Sequence, residues 1–210
     1  NTAPSPDPRD QQTYYLRMTP FRFVVFGSLE VVFKLISISK VEGIEHLPLE
    51  GPIIVAANHL TIYDPWPLQI ALPRLLFFMG KAELFKNPIS DWAFRQLGGF
   101  PVYRGARDEW AIRHSRRILD EGHALGLFPE GTRTRGKGLR TAKTGVARLA
   151  QAAECPICPV AIHGPQYMFR HFPRRTRVNI TMGAPIIPQS NETVLNLTDR
   201  VMFAIAAMLP

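Results

Sequence analysis

Short apolar runs that alternate with longer amphipathic segments constrain this chain more than any other feature. The run at 52–57 follows Gly51 and is too short for a helix, which indicates a buried strand. Similar runs occur at 75–79, 100–103, 124–128 and 157–162, and residues 178–182 are a further predicted strand. Segments with the character of helices lie between or beside them, at 65–72, 87–97, 106–121, 142–153 and 197–209. The alternation predicts an α/β fold, a single layered domain with a largely parallel sheet flanked by helices.

The bulk composition fits one domain with a basic surface. A chain of 210 residues with 46% hydrophobic and 20% charged residues can bury one substantial core, which we place at 41–210. The formal net charge of +8 indicates a polyanionic partner: anionic lipid headgroups, nucleic acid or a phosphorylated substrate. Cys155 and Cys158 have redox spacing, but they follow a predicted helix instead of opening one, and no second pair completes a zinc site.

The N-terminal part divides into a polar arm and an apolar helix. Residues 1–19 are expected to form a flexible arm, and their start shows no pattern of a secretory signal. Residues 20–40 approach the length of a membrane span, but Arg22, Glu30 and Lys34 interrupt them along roughly one helical face. A wide apolar face with one charged stripe indicates an amphipathic helix in a membrane interface. Packing of this helix against its own domain is the alternative.

A possible base and its orienting partner follow the strand at 52–57. His59 lies where this strand ends, and Asp64 comes five residues later. If the chain turns back, Asp64 can accept a hydrogen bond from His59 Nδ1–H, which leaves Nε2 as a base. In the alternative interpretation, Asp64 caps the following helix and His59 is an ordinary polar residue.

Polar residues also follow three other predicted strands. They are Lys81, Arg104 and the run Glu130, Gly131, Thr132 and Arg133. Because the carboxyl ends of parallel strands meet at one edge, these residues are expected to share a crevice with His59. The cations suit a phosphate, Glu130 can hold Arg133 or cap a turn, and Gly131 allows the backbone close to a ligand. Any one of the cations taken alone can instead be a solvated surface charge.

Four ordered sequence blocks resemble those of the glycerolipid acyltransferases, in particular the bacterial 1-acylglycerol-3-phosphate acyltransferases. They are Asn58-His59-x4-Asp64, GFPVYR at 99–104, FPEGTR at 128–133 and CPVAI at 158–162. The Lys143-Thr144-Gly145 sequence resembles a Lys-x-Gly that follows the third block in this family. The chain departs from the family pattern at Thr61, where Ser is frequent, and at Tyr103, where a charged residue is frequent.

The resemblance implies a direct acyl transfer. His59, oriented by Asp64, would take the proton of an acceptor hydroxyl that attacks an acyl thioester, and backbone N–H groups near His59 would stabilise the oxyanion. Arg104, Arg133 and Lys81 would bind the phosphate of a lysophospholipid acceptor, in a pocket shaped by the run from Glu130. Acyl-CoA or an acyl-acyl carrier protein would be the co-substrate, and neither a metal nor another cofactor is implied. No Gly-x-Ser-x-Gly sequence is present to supply an acyl-serine.

Two alternatives to this function remain open. The first is a related acyltransferase with another lysolipid or a glycolipid as acceptor. The second is a non-enzymatic protein that binds anionic lipid, although such a protein needs neither His59 nor Asp64. The basic and aromatic run at 170–177 is expected to meet anionic membrane lipids and not nucleic acid. Together these features predict a peripheral protein on the cytoplasmic face of the cell membrane.

Overall fold

Strands and helices alternate along the chain. The computed structural model describes residues 7–105, 108–134, 138–170 and 173–210. The strands in this part are β1 (Ser37–Glu42), β2 (Ile53–Ala57), β3 (Leu76–Lys81), β4 (Gly99–Val102), β5 (Ala124–Leu127), β6 (Ile157–His163) and β7 (Thr176–Met182). The α-helices are α1 (Pro20–Ile36), α2 (Pro65–Ala71), α3 (Pro88–Gln96), α4 (Glu109–Asp120), α5 (Gly145–Ala153) and α6 (Val194–Ala207). The predicted α/β fold class is confirmed.

The seven strands of the described residues form one mixed sheet in the order β1-β7-β6-β2-β5-β3-β4. The five strands from β6 to β4 in this order are parallel, whereas β7 pairs with β6 in the antiparallel direction and β1 runs parallel to β7. The sheet is therefore largely parallel, as predicted, with two reversed strands at one side. We call the edge at which β2 to β6 end the carboxyl edge.

The central strands β2 and β5 lie next to each other but send their chains in opposite directions. The chain leaves β2 through α2 toward β3, and it leaves β5 through α5 toward β6 on the far side of β2. In open α/β sheets, such a reversal opens a crevice outside the carboxyl ends of the two strands. His59 follows β2 and Glu130 follows β5, so both stand at this crevice.

Both faces of the sheet are covered by helices. Ile54 and Ala56 of β2 pack in a cluster with residues of α4, α5 and α6, whereas Ile53, Val55 and Ala57 pack with residues of α1 and α2. All five β2 side chains are completely buried. Burial on both faces explains why this strand is continuously apolar and does not alternate.

Helix α1 differs in two ways from the sequence prediction for 20–40. It ends at Ile36, because Ser37 begins β1 and its hydroxyl donates to the carbonyl of Phe33 over 2.6 Å. Arg22 does not belong to an exposed charged stripe: it is buried, and its guanidinium donates to the carbonyls of Tyr15, Arg17 and Gln96. Burial lowers the pKa of Arg22 to about 10.

The outer side of α1 is apolar and exposed. Its exposed apolar residues are Phe23, Val24, Val31, Val32 and Leu35. Glu30 and Lys34 form the expected i, i+4 ion pair at 2.6 Å. On the inner side, Phe33 is buried in the core. Within the described ranges, no helix has both the length and the apolar character to cross a membrane.

The N-terminal segment packs against the rest of the domain, although composition alone predicted a flexible arm. The indole Nε1–H of Trp110 donates to Asp10 over 2.7 Å, and the ring of Tyr14 lies 5.3 Å from that of Trp110. Arg9 is paired with Asp108 at the start of α4. These contacts attach residues 7–19 to the body of the domain, whereas residues 1–6 lie outside the described residues.

The two cysteines belong to the core, and the basic run is partly bound to the backbone of β1. Cys155 and Cys158 are free and buried, and burial raises their pKa values to about 11 and 12, which suits inert core thiols. Within the run at 170–177, Arg175 donates to the carbonyl of Ser37, whereas residues 171 and 172 lie outside the described residues.

Candidate active site

His59 and Asp64 form the hydrogen bond that the sequence predicted. His59 Nδ1 lies 2.7 Å from Asp64 Oδ2, and the Asp64 side chain is completely buried. The same Oδ2 atom accepts the backbone N–H groups of Leu60, at 2.6 Å, and Thr61, at 2.9 Å. Because this oxygen acts as an acceptor throughout, we assign the imidazole proton to Nδ1, which leaves a lone pair on Nε2.

Asp64 occupies the N-cap position of α2 but does not cap the helix. Its side chain makes no bond to the first turn of α2 and points back along the chain. Its second oxygen, Oδ1, accepts the hydroxyl of Thr61 over 2.8 Å. The alternative in which Asp64 is an ordinary helix cap is therefore wrong.

The imidazole of His59 is held by an aromatic neighbour. The ring of Phe128, directly after β5, stacks on it with centroids 4.1 Å apart and planes 15° from parallel. Phe78 stacks in turn with Phe128, at 6.1 Å. The His59 side chain keeps 12% of its surface exposed, so the ring is fixed in orientation but open to a substrate.

Glu130 binds backbone and not Arg133. Its Oε1 accepts the N–H of His59 at 2.8 Å, and its Oε2 accepts the N–H of Arg140 at 2.7 Å. The Glu130 side chain is buried, whereas Arg133 is exposed. The suggestion that Glu130 holds Arg133 is therefore wrong, and its carboxylate instead joins the end of β2 to the loop after β5.

The loop after β5 wraps around His59. The N–H of Thr134 donates to the carbonyl of His59 over 2.8 Å, and the N–H of Lys143 donates to the carbonyl of Pro129 over 2.8 Å. Gly131 has a positive φ of +65°, and a Cβ there would meet the side chain of Lys143 at 3.0 Å. The glycine at position 131 therefore leaves room for the side chain of Lys143. Thr132 and Arg133 are exposed on the same loop.

Backbone N–H groups next to His59 are already used. The N–H of His59 is bonded to Glu130, and those of Leu60 and Thr61 are bonded to Asp64. These three N–H groups are therefore not free to stabilise an oxyanion.

Asn58 has a structural role that its place in the motif does not disclose. Its Nδ2–H donates to the carbonyl of Ile162 at 2.9 Å, and its Oδ1 accepts the N–H of the same residue at 2.7 Å. The side-chain amide thus pairs both backbone groups of Ile162, beyond the last residue of β2 that is in register with β6. Its position at the end of an apolar run is the signal that could have suggested this role.

The candidate phosphate ligands stand at the carboxyl edge but do not touch His59. Lys81 ends β3 and forms a 3.0 Å ion pair with Glu83, and it is in register with Val102 of β4. Arg104 follows β4 and is exposed, as is Arg133. At about 4.8 Å per strand, β3 and β4 lie about 10 and 15 Å from β2. Arg133, on the loop bonded to His59, is therefore the most direct candidate.

The acidic groups of the site are committed to hydrogen bonds. Asp64 binds the turn that follows His59, and Glu130 binds two backbone N–H groups. In the described part of the chain, no three His, Cys, Asp or Glu side chains are grouped so as to hold a metal ion. What the geometry offers is one oriented imidazole at an edge of the sheet that also carries cationic side chains.

Comparison with known proteins identifies the family. Residues 38–163 match the family model described as acyltransferase. The chain belongs to the acyltransferase family. This region contains the His59–Asp64 pair, the loop around Glu130 and all three candidate phosphate ligands.

The relatives agree on acyl transfer but differ in acceptor. The chain is 29% identical over 161 residues to the 1-acyl-sn-glycerol-3-phosphate acyltransferase of Bacillus subtilis, which covers 76% of this chain and 79% of that protein. It is 36% identical over 112 residues to the lyso-ornithine lipid O-acyltransferase of Pseudomonas aeruginosa. This match covers 53% of this chain and 43% of the Pseudomonas protein. Several other relatives are matched over only 35–52% of their own length.

A solved structure shows the same fold. The crystal structure of the 1-acyl-sn-glycerophosphate (LPA) acyltransferase from Thermotoga maritima superimposes with a TM-score of 0.71 and 28% sequence identity. The similarity covers 89% of this chain and 78% of the Thermotoga protein. The mixed sheet and the helices on both faces are therefore shared with an acyltransferase.

Proposed function

We propose that this acyltransferase moves a fatty acyl group from an acyl thioester to a hydroxyl of a lysophospholipid, with 1-acylglycerol-3-phosphate as acceptor and phosphatidic acid as product. The observation that carries the proposal is the 2.7 Å hydrogen bond between His59 Nδ1 and the buried carboxylate of Asp64. It leaves Nε2 as the proton acceptor in a partly open site. The names of relatives support the choice of acceptor.

The step is a direct displacement. Nε2 of His59 takes the proton of the acceptor hydroxyl while the oxygen forms a bond to the thioester carbonyl carbon. The carbon–sulfur bond then breaks, and the thiolate leaves with the proton that the imidazolium returns. Asp64 keeps Nδ1 protonated and stabilises the transient imidazolium, and general-base help of this kind accelerates a reaction by about 10²–10⁴-fold.

A phosphate on the acceptor suits the charges at the carboxyl edge. Arg133 is exposed on the loop that binds both the N–H and the carbonyl of His59. Its planar guanidinium can bind two phosphate oxygens, and the long side chains of Lys81 and Arg104 extend the positive region along the edge. We therefore assign the acceptor's phosphate to Arg133 first, with Arg104 and Lys81 in support.

The exposed apolar side of α1 suits a membrane interface. Five apolar side chains are exposed on this helix, and the chain carries a net charge of +8. An apolar helix face beside basic residues binds an anionic bilayer surface without spanning it. We propose that the protein lies on the cytoplasmic face of the cell membrane, where a lysolipid and either acyl-CoA or an acyl-acyl carrier protein can reach the crevice.

The test is acceptor-dependent thiol release from an acyl-CoA by the purified protein. The acceptors are lysophosphatidic acid, other lysophospholipids, a lyso-ornithine lipid and a glycolipid. We expect release with lysophosphatidic acid that is lost in His59→Ala. His46→Ala is the matched control. His46 is exposed and follows the end of β1. Because β1 runs in the opposite direction to β2, His46 lies at the edge of the sheet opposite His59.

The panel separates the remaining alternatives. Release with the lyso-ornithine lipid alone would overturn the proposed acceptor but keep the reaction. Release with an acyl-acyl carrier protein and not with acyl-CoA would identify the donor. Undiminished release in His59→Ala would overturn the mechanism, and binding to anionic vesicles without transfer from either donor would favour the lipid-binding alternative.

For the acceptor's phosphate, Arg133→Ala is expected to raise KM for lysophosphatidic acid much more than KM for the thioester. An equal effect on both values would remove Arg133 from the phosphate site.

A further inference from the structure

We infer that Arg9 is a positioning residue for the acceptor site, because through Asp108 it holds the chain that carries Tyr103 and Arg104. The inference rests on the proposed function, in which Arg104 supports the binding of the acceptor's phosphate. Arg9 lies outside the region that matches the family model. Its position follows from contacts that span more than 90 residues of sequence.

Every N–H group of the Arg9 guanidinium donates a hydrogen bond. Nε donates to Asp7 at 2.9 Å. Nη1 donates to Asp108 Oδ2 at 2.6 Å and to the carbonyl of Pro101, in β4, at 3.4 Å. Nη2 donates to Asp108 Oδ1 at 2.9 Å and to Asp7 at 2.7 Å. Only 13% of the Arg9 side chain is exposed, so this is a built contact between the N-terminal segment and the end of β4.

Asp108 passes this constraint on to the backbone. Its Oδ2, which accepts Arg9, also accepts the N–H of Tyr103 at 2.8 Å. Its Oδ1 accepts the N–H of Ala111 at 3.0 Å and so caps α4. Burial by itself would raise the pKa of Asp108, but the hydrogen bonds from Arg9, Tyr103 and Ala111 lower it, so the carboxylate is charged at neutral pH.

Arg104 directly follows the residue that this network fixes. The Tyr103 ring lies under the Arg9 guanidinium at 4.8 Å, and Trp110 lies 4.5 Å from the same group. Tyr103 is therefore held at its backbone by Asp108 and at its ring by Arg9. Arg104 then starts from a fixed backbone, which lowers the entropy that it loses when it binds a phosphate.

A purely structural role for Arg9 is the competing interpretation, and a second ion pair provides the control. Arg200 Nη1 donates to both oxygens of Glu192, at 2.8 and 2.7 Å, and Glu192 is 6% exposed where Asp108 is 5% exposed. The carbonyl of Glu192 also accepts the side-chain amide of Gln151, near the end of α5 and thus at the edge of the sheet opposite the crevice. Loss of this pair should lower the stability of the fold but leave the KM for the acceptor unchanged.

The experiment compares Arg9→Lys with Arg200→Lys, because lysine keeps the charge and loses the planar fork. In Arg9→Lys we expect KM for lysophosphatidic acid to rise by about three- to tenfold, with kcat and the KM for acyl-CoA unchanged. Hydrogen exchange of the Tyr103 amide should become faster. Arg200→Lys should lower Tm without changing either KM value.

Arg104→Ala separates the two proposals. If Arg104→Ala raises the acceptor KM and Arg9→Lys does not, the inference about Arg9 is overturned and the proposed function stands. If Arg104→Ala leaves the acceptor KM unchanged, Arg104 is removed from the phosphate site and the role inferred for Arg9 falls with it. Unchanged exchange of the Tyr103 amide in Arg9→Lys would also overturn the inference.

Discussion

Glu130 binds the backbone N–H of His59 across 2.8 Å, although the two residues are 71 positions apart in the chain. The contact joins the ends of the adjacent strands β2 and β5. Glu130 therefore has a mechanical role, because its carboxylate fixes the backbone from which the imidazole extends.

Replacing this carboxylate should therefore loosen His59 without weakening acceptor binding. Glu130→Gln keeps one acceptor oxygen but presents an NH₂ group to the second backbone N–H, and a buried donor without a partner costs about 1–3 kcal/mol. We expect a lower free energy of unfolding in urea and a lower kcat, with KM for lysophosphatidic acid unchanged. Glu45→Gln, at an exposed site, should change neither, and a selective rise in KM would instead place Glu130 on the substrate.

Asp64→Asn should lower kcat at least about 100-fold, because the amide no longer fixes the proton of His59 on Nδ1. Initial rates with saturating substrates measure the effect, and circular dichroism checks the fold. Thr61→Val is the matched control, since it removes the 2.8 Å hydroxyl bond to Asp64 Oδ1 and the 3.0 Å bond from the Tyr63 N–H but keeps the carboxylate that binds His59. Equal losses in the two variants would show that the turn, and not the tautomer, limits the rate.

His114 should make the stability depend on pH. Burial lowers its pKa to about 4 from 6.5, and its ring stacks on Trp110 at 4.8 Å. Between these pH values the unfolded chain binds more protons than the folded one, so stability falls as pH falls through 6.5 toward 4. The loss at pH 5 amounts to about 2 kcal/mol relative to pH 7.5.

Urea unfolding of His114→Phe at the two pH values tests this. The aromatic replacement keeps the stacking and removes the proton site, so the difference between the two pH values should shrink by about that amount. An unchanged difference would assign the pH dependence to another group. The first candidate is His123, because burial lowers its pKa as well.

The exposed side of α1 should bind anionic vesicles. Leu35→Gln replaces a leucine that is 68% exposed on α1, and Leu195→Gln replaces one that is 63% exposed on α6. In co-sedimentation with phosphatidylglycerol vesicles, we expect Leu35→Gln to lower the bound fraction, since a buried leucine contributes about 1.5–3 kcal/mol. Leu195→Gln should bind like the unmodified protein, and equal losses would show that the apolar contact is not specific to α1.

The parts of this molecule that sequence predicts best are local. The apolar runs at the centre of the sheet correspond to β2, β5 and β6, because a strand buried on both faces is apolar throughout. The His59–Asp64 bond was predictable because both residues belong to one turn. Their convergence with the loop at Glu130 followed from the rule that parallel strands end at one edge.

What sequence did not predict depends on contacts between distant residues. Arg22 has the spacing of an exposed charge, and only the carbonyls around it explain its burial. The docking of Arg9 depends on Asp108, which lies 99 positions away. The reversed direction of β7 was not predicted either, because its alternation of polar and apolar residues shows that one face is exposed but does not fix the direction of the strand.

The amide of Asn58 substitutes for a piece of main chain. It offers Ile162 the acceptor and the donor that two successive peptide groups of a longer β2 would supply, so β6 keeps its pairing after β2 has ended. The backbone of His59 is thereby free to turn out of the sheet plane without leaving a gap in the ladder. A residue at this position needs both hydrogen-bonding functions on a short stem, a demand that asparagine meets and that aspartate, with two acceptors, does not. The first residue of the motif thus completes the sheet, and the chemistry starts with the second.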